Sequence, residues 1–168
     1  MITKILSLIV VASGLLLVGC TSLTKVDKPD NLATQPVVNQ PIVESGTTLD
    51  LSNQGLTSLP AYVLKQTNLQ ELNISNNNLT GALPAEIRFL SKLKVLKASN
   101  NQMTGVPAEV GQLSQLELLD LSNNQLTGLP NEIGNLTKLK QLNLSGNNYS
   151  QQDLDYILQK LPNLVVVK

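Results

Sequence analysis

The sequence predicts an α/β-type solenoid: an arc of about five stacked repeats plus a terminal strand, with parallel strands on its concave face and short helical turns on its convex face. Three observations predict it. From Gly46 onward the chain is periodic, with units beginning at Gly46, Leu69, Leu93, Leu116, Leu139 and Leu164, at spacings of 23, 24, 23, 23 and 25 residues. Self-similarity at such a period overrides other readings of a sequence. Within a unit, apolar and polar residues alternate over a short stretch, as in Leu119-Asp120-Leu121, the pattern of a strand with one buried face. Each unit is also too small to bury its own leucines, so neighbours must stack to bury them together.

Ahead of the repeats, the first twenty residues read MITKILSLIVVASGLLLVGC, with one basic residue, Lys4, before an uncharged stretch from Ile5 to Val18. That stretch is short for a ~30 Å hydrocarbon core, which takes about 20 residues, and suits the apolar region of a signal peptide. Its end departs from a small-x-small cleavage site. Leu17-Val18-Gly19-Cys20 instead resembles the lipobox of bacterial lipoproteins, where diacylglycerol is attached to the cysteine thiol before cleavage ahead of it. The resemblance implies a lipoprotein signal peptide over residues 1–19 and a lipidated Cys20 bearing several acyl chains; two or more chains anchor stably. Cys20 is the only cysteine and so has no intrachain disulfide partner. Thr21 rather than an aspartate follows it. In that family this places the protein, lipid-anchored, on the bacterial cell membrane, and on the outer membrane if the cell has two.

Residues 20–45 carry the lipidated cysteine and then Pro29, Pro36 and Pro41 among polar residues without a sustained period, the composition of a partly extended tether. Ile42 and Val43 either belong to it or fold back, within residues 37–45, to cap the first repeat. The repeat domain is expected over 46–168.

The recurring pattern is L-x-x-L-x-L-x-x-N-x-L-x-x-L-P-x-x-I-x-x-L. Its best copy places Leu116, Leu119, Leu121, Asn124, Leu126, Leu129, Pro130, Ile133 and Leu136 in register. The pattern covers Gly46–Lys168 and resembles the leucine-rich repeat family. After each strand the chain crosses to the other side, where Pro84, Pro107 and Pro130 suit the first position of a short helix and Glu86, Glu109 and Glu132 follow in its first turn. At the C-terminal end, Ser150 and Asp153 predict a capping box opening a longer helix to Lys160. Leu164-Val-Val-Val-Lys168 predicts a final strand whose edge Lys168 blunts.

Between copies, leucine gives way to Ala98, Met103 and Val106, while Ser-Asn-Asn persists. An apolar slot needs only volume. Where the chain turns inward, backbone groups lie away from water and outside a regular ladder, and a buried amide can both donate to and accept from them. Asn77, Asn101, Asn124 and Asn147 are therefore expected to stack as a structural ladder, with Gln54 substituting in the first unit. The same asparagine runs are poor calcium sites, since those loops hold no carboxylate. Their N-x-S/T matches fall out of the repeat.

Composition removes most chemistry. The chain has no histidine, no tryptophan and no second cysteine, which excludes zinc sites, His-dependent triads and CxxC redox motifs. No cofactor, metal or enzyme activity is expected; carboxylates on an open strand face have little desolvation to raise a pKa for acid–base work. Twelve basic and twelve acidic residues leave no electrostatic footprint for nucleic acid.

What remains is a surface. Outward strand positions align in columns: Thr48, Glu71, Val95, Leu118 and Gln141 in one; Asp50, Asn73, Lys97, Asp120 and Asn143 in the next; Ser52, Ser75, Ser99, Ser122 and Ser145 in a third. The serines are expected to bond nearby backbone. Val95 and Leu118 are adjacent, apolar and expected to face solvent, either as a contact site or as β-formers on a strand. The resemblance implies protein binding on the concave face, so Glu71, Asn73, Val95, Lys97, Leu118, Asp120, Gln141 and Asn143 are the expected partner-binding residues of a monomeric interaction module in the bacterial envelope. The alternatives are glycan or peptidoglycan binding, which wants aromatic platforms, and a purely structural envelope role.

Overall fold

The structure, a computed structural model, describes residues 47–168. The leader, Cys20, the tether and the question of Ile42 and Val43 lie outside the described residues. Among the described residues there are eight strands: Thr48–Asp50 (β1), Glu71–Asn73 (β2), Thr80–Gly81 (β3), Val95–Lys97 (β4), Gln102–Met103 (β5), Leu118–Asp120 (β6), Gln141–Asn143 (β7) and Val165–Val167 (β8). Six of them form one parallel sheet in the order β1-β2-β4-β6-β7-β8, one strand per repeat; β3 and β5 pair separately.

The middle residue of each strand in the six-stranded sheet points inward, and the register aligns Leu49, Leu72, Leu96, Leu119, Leu142 and Val166. The four inner leucines of that row are fully buried, each worth about 1.5–3 kcal/mol relative to exposure. Leu69, Leu93 and Leu116 before the strands, and Ile74, Ala98 and Leu121 after them, extend the same core along every repeat. Ala98 is buried as completely as the leucine and isoleucine at its position, so neighbouring volume takes up the exchange.

Opposite the sheet, four 3-10 turns occupy Val63–Lys65, Ala85–Phe89, Ala108–Gln112 and Asn131–Asn135. The prolines stand one position earlier than the sequence led us to expect. Pro84, Pro107 and Pro130 are extended, at φ near −65 to −71°, and precede the turns rather than begin them. The reason is visible in the bonding: each proline carbonyl accepts the first 3-10 hydrogen bond, from Ile87, Val110 and Ile133 at 3.0–3.1 Å. Glu86, Glu109 and Glu132 then fall in the first turns.

Helix α1, Gln151–Lys160, closes the C-terminal end, with Leu154 and Ile157 buried. Only half of the expected capping box forms. Ser150 Oγ accepts the Asp153 N–H at 3.3 Å, but the Asp153 carboxylate turns to the neighbouring repeat and accepts the Leu129 N–H at 3.0 Å. A buried amide there has greater need of an acceptor than the exposed start of the helix. The last strand is less protected than Lys168 alone suggested, since Val165 and Val167 remain 60% and 38% exposed.

Candidate binding face

The register of the sheet sets the columns on its outer surface. Thr48 lies beside Glu71, Glu71 beside Val95, Val95 beside Leu118 and Leu118 beside Gln141. Val95 and Leu118 are half-buried, whereas Thr48 and Gln141 are exposed. The column continues to Val165, and the next column, through Asp50, Asn73, Lys97, Asp120 and Asn143, continues to Val167. Those two valines extend the candidate face beyond the residues that reasoning from the sequence named. The signal was available, since Leu164-Val-Val-Val repeats the strand positions of every earlier unit.

The second column does two jobs. Asp50, Asn73, Asp120 and Asn143 each accept, through Oδ1, the backbone N–H of the serine two residues on, at 2.8–3.2 Å. These are Asx turns that end the strands and bend the chain inward. The expectation that the serine side chains bond the backbone is thereby corrected. The bond runs from serine N–H to the Asx side chain, and the Ser122 and Ser145 hydroxyls add to the same acceptors. Hydrogen bonds from Ser52, its side chain foremost and its backbone next, hold the Asp50 carboxyl below the usual aspartate range.

Lys97 breaks the column. It has no acceptor to offer Ser99, and its Nζ instead crosses to Glu71 Oε1 at 2.8 Å. Ser99 Oγ bonds Ser75 Oγ at 3.0 Å. The concave face therefore presents two adjacent apolar side chains, Val95 and Leu118, beside one ion pair and a row of amides and carboxylates already part-engaged by turns.

Behind this face lies the amide ladder. Asn101 Nδ2 donates to the carbonyls of Ile74, Ala98 and Ser99, at 3.1–3.2 Å, and its Oδ1 accepts the Leu79 N–H at 3.1 Å. Asn124 repeats this with Ala98, Leu121, Ser122 and the Met103 N–H. Asn77 and Asn147 each reach back to the unit before in the same way. Gln54 does not join them: it is exposed, and its side-chain amide donates only to Ser52, at 3.2 Å. Each ladder asparagine serves the unit preceding it, and the first described unit has none before it. Among the described residues, every buried side-chain nitrogen and oxygen has a partner.

The other asparagine of Ser-Asn-Asn has a separate reason to persist. Asn53, Asn76, Asn100 and Asn123 adopt φ of 52–58°, and Gly146 takes the same place in the last unit at φ 70°. Asparagine and glycine are the residues that tolerate this left-handed conformation best.

Other features of the described residues add no chemistry. An apolar cavity of about 210 Å³, lined by Leu59, Leu79, Leu83, Pro84 and Met103 among others, holds no charged side chain. No group of acidic, cysteine or histidine residues among the described residues is placed to hold a metal. The aromatic residues sit off the concave strands: Tyr62 and Phe89 on the 3-10 side, Tyr149 before α1 and Tyr156 on it. Phe89 is stacked under Arg88 at 4.7 Å and Tyr156 under Lys160 at 4.9 Å. No described helix is long and apolar enough to cross a membrane.

Residues 69–168 match the family described as leucine-rich repeat region. Among solved structures, a leucine-rich repeat protein of Leptospira interrogans is 42% identical over 67% of this chain, at a TM-score of 0.63; the match spans 28% of that protein's length. The plant peptide hormone receptor RGFR1, solved in complex with RGF2, is 35% identical over 71% of this chain and 20% of its own, at a TM-score of 0.60. The BIR3–SERK2 complex from Arabidopsis thaliana is 32% identical over 61% of this chain and 56% of that one, at 0.56. No curated protein matches.

Proposed function

The chain belongs to the leucine-rich repeat family, and from that premise we propose that it is a membrane-anchored interaction module of the bacterial envelope that binds a protein on its concave sheet. The observation that carries the reading is the pairing of Val95 with Leu118, two half-buried apolar residues at the middle of the strand face, with Glu71, Lys97, Asp120, Gln141 and Asn143 around them. An apolar centre in a polar, mixed-charge rim has the anatomy of a small protein interface, where the centre supplies most of the energy and the rim the register. Complexes among the related structures, a plant peptide hormone receptor with RGF2 and BIR3 with SERK2, support a protein as the ligand class. The placement of the aromatic residues away from the concave strands disfavours a glycan, which stacks on exposed rings.

The test uses two pairs of variants on the chain beginning at Thr21. Val95→Glu with Leu118→Glu places charges at the centre and is expected to abolish capture of the partner that the unaltered chain retains from envelope extract. Because both positions are half-buried, Val95→Thr with Leu118→Gln serves as the milder pair; Thr48 and Gln141 already occupy that column. A folded variant of either pair that captures the same partner as before sinks the assignment and moves binding elsewhere.

The anchor is a separate proposal. Leu17-Val18-Gly19-Cys20, following an uncharged stretch, supports cleavage after Gly19, lipidation of Cys20 and a tether to residue 45. Thr21 supports the outer membrane where there are two. Similarity to a Leptospira protein agrees with a bacterial setting. Metabolic labelling with an acyl precursor is expected to mark the intact chain and not Cys20→Ala; an unlabelled wild type, or a mature terminus other than Cys20, refutes it.

A further inference from the structure

We propose that one rim of the solenoid, built from Lys92, Lys94, Lys138 and Lys140, docks the domain against an anionic phospholipid surface. These four exposed lysines occupy the two alternate positions immediately ahead of strands β4 and β7, flanking the buried Leu93 and Leu139. Burial of the leucine between them drives both members of each pair outward. Bonds between units show that the columns line up along one edge: Lys92 Nζ reaches Asn68 Oδ1 at 2.7 Å, Lys138 Nζ reaches Gln115 Oε1 at 2.6 Å, and Lys140 Nζ reaches Glu117 Oε2 at 2.6 Å. Glu117 is the one acid on this edge among the described residues, and the Lys140 ammonium, by its hydrogen bond first and its charge second, holds that carboxyl below the usual glutamate range. The rim therefore carries four positive charges against one negative.

Elsewhere the charge is distributed differently. The loops after the strands, residues 75–83, 99–106 and 122–129, contain no charged side chain, and on the 3-10 turns Glu86, Glu109 and Glu132 stand against Lys65 and Arg88. In a chain of formal net charge +0, the basic rim is a segregation of charge and not an overall excess. The pairs are two strands apart, about 10 Å at ordinary strand spacing, close to the Debye length at ~0.1 M salt, so an extended anionic surface feels both at once. Every cation of the rim is a lysine, a hydrated point charge without the guanidinium fork that reads a single phosphate or carboxylate bidentately. Among the described residues, the positions between them in the same columns hold no aromatic ring. That chemistry fits a plane of lipid headgroups better than a shaped acidic protein or a nucleic acid. The anchor proposed above would hold the domain near such a plane, but the rim's charge does not depend on the anchor, and a chain without it serves for the test, so either proposal can fail alone.

The protein for the test begins at Thr21; among the described residues the buried core runs from Leu49 to Leu164, and the variant keeps all of it. Its partitioning is measured by co-sedimentation with vesicles of phosphatidylcholine alone and of phosphatidylcholine with phosphatidylglycerol, at low and high salt. A basic residue near an anionic surface raises partitioning about fivefold, so the net rim charge of three is expected to favour anionic vesicles by roughly 100-fold at low salt and to lose this at high salt. Lys92→Glu with Lys138→Glu is expected to remove the preference, and Lys92→Arg with Lys138→Arg to keep it. Lys160→Glu with Lys168→Glu makes the same change in net charge at lysines outside these columns and should keep most of it; thermal midpoints verify that each variant is folded. Equal binding to both vesicle types, or equal loss in the two glutamate pairs, overturns the proposal. So does a rim reversal that spares vesicle binding but weakens capture of a protein, which would give the rim to an acidic protein surface instead.

Discussion

Replacing Asn101 by leucine tests the amide ladder at its middle, and the structure says which groups suffer. Asn101 contacts three carbonyls and one N–H. Each carbonyl has a second donor: Ile74 O also receives Asn77 Nδ2, Ala98 O receives Asn124 Nδ2, and Ser99 O receives the Asn76 N–H, at 2.9–3.0 Å. The Leu79 N–H has only Asn101 Oδ1, and Leu79 is 2% exposed. One buried N–H is therefore orphaned, at roughly 1–3 kcal/mol. The same reasoning for Asn124→Leu leaves only the Met103 N–H, with a similar loss. Met103→Leu, a volume-conserving exchange at a buried site, is expected to cost under about 1.5 kcal/mol, and Gln54→Ala, at an exposed side chain, within about 0.5 kcal/mol.

The double variant is the sharper measurement. Asn101 and Asn124 share Ala98 O, so either alone keeps it partnered and losing both does not. Urea midpoints at a constant m-value should show the double variant less stable than the sum of the singles by about 1 kcal/mol or more, the further orphaned carbonyl. Additivity within about 0.3 kcal/mol, or an Asn101→Leu loss no larger than that of Met103→Leu, would refute the account of shared acceptors.

Two further variants probe the backbone. Asn100 sits at φ 54°, so Asn100→Ala is expected to lose about 1–2 kcal/mol while Asn100→Gly loses less; the reverse order in thermal or urea midpoints would contradict a conformational reason for this asparagine. A Cβ at Gly111 would run into the Glu132 backbone of the next turn, with Glu132 Cβ at 2.6 Å. Gly111→Ala should therefore cost about 1–3 kcal/mol by overpacking, and an unchanged urea midpoint would mean that the turns separate freely.

The architecture was legible because its cause is repetitive. Leucines at fixed intervals have one way to be buried together, so period, strand positions, concave columns and the ladder role of Asn77, Asn101, Asn124 and Asn147 could be read residue by residue. Where the reading slipped, the missing information was a neighbour in space. Gln54 matches the ladder position, but the bonds of that position run backward to a preceding unit. Asp153 matches a capping box, but the Leu129 N–H of the adjacent repeat claims its carboxylate. Ser-Asn-Asn reads as one conserved unit, and the structure divides it among an Asx-turn donor, a left-handed corner and a buried amide.

By itself, then, the sequence determined the solenoid, its register and the residues facing outward, because periodic burial leaves few ways to place the chain. Tertiary structure alone decided which outward residues are free. It joined Lys97 to Glu71, left Val165 and Val167 uncovered at the last strand and gathered four lysines on one rim. The ion pair and the lysine contacts depend on hydrogen bonds and charges between units some 23 to 26 residues apart, interactions that a linear pattern aligns but does not assign to partners.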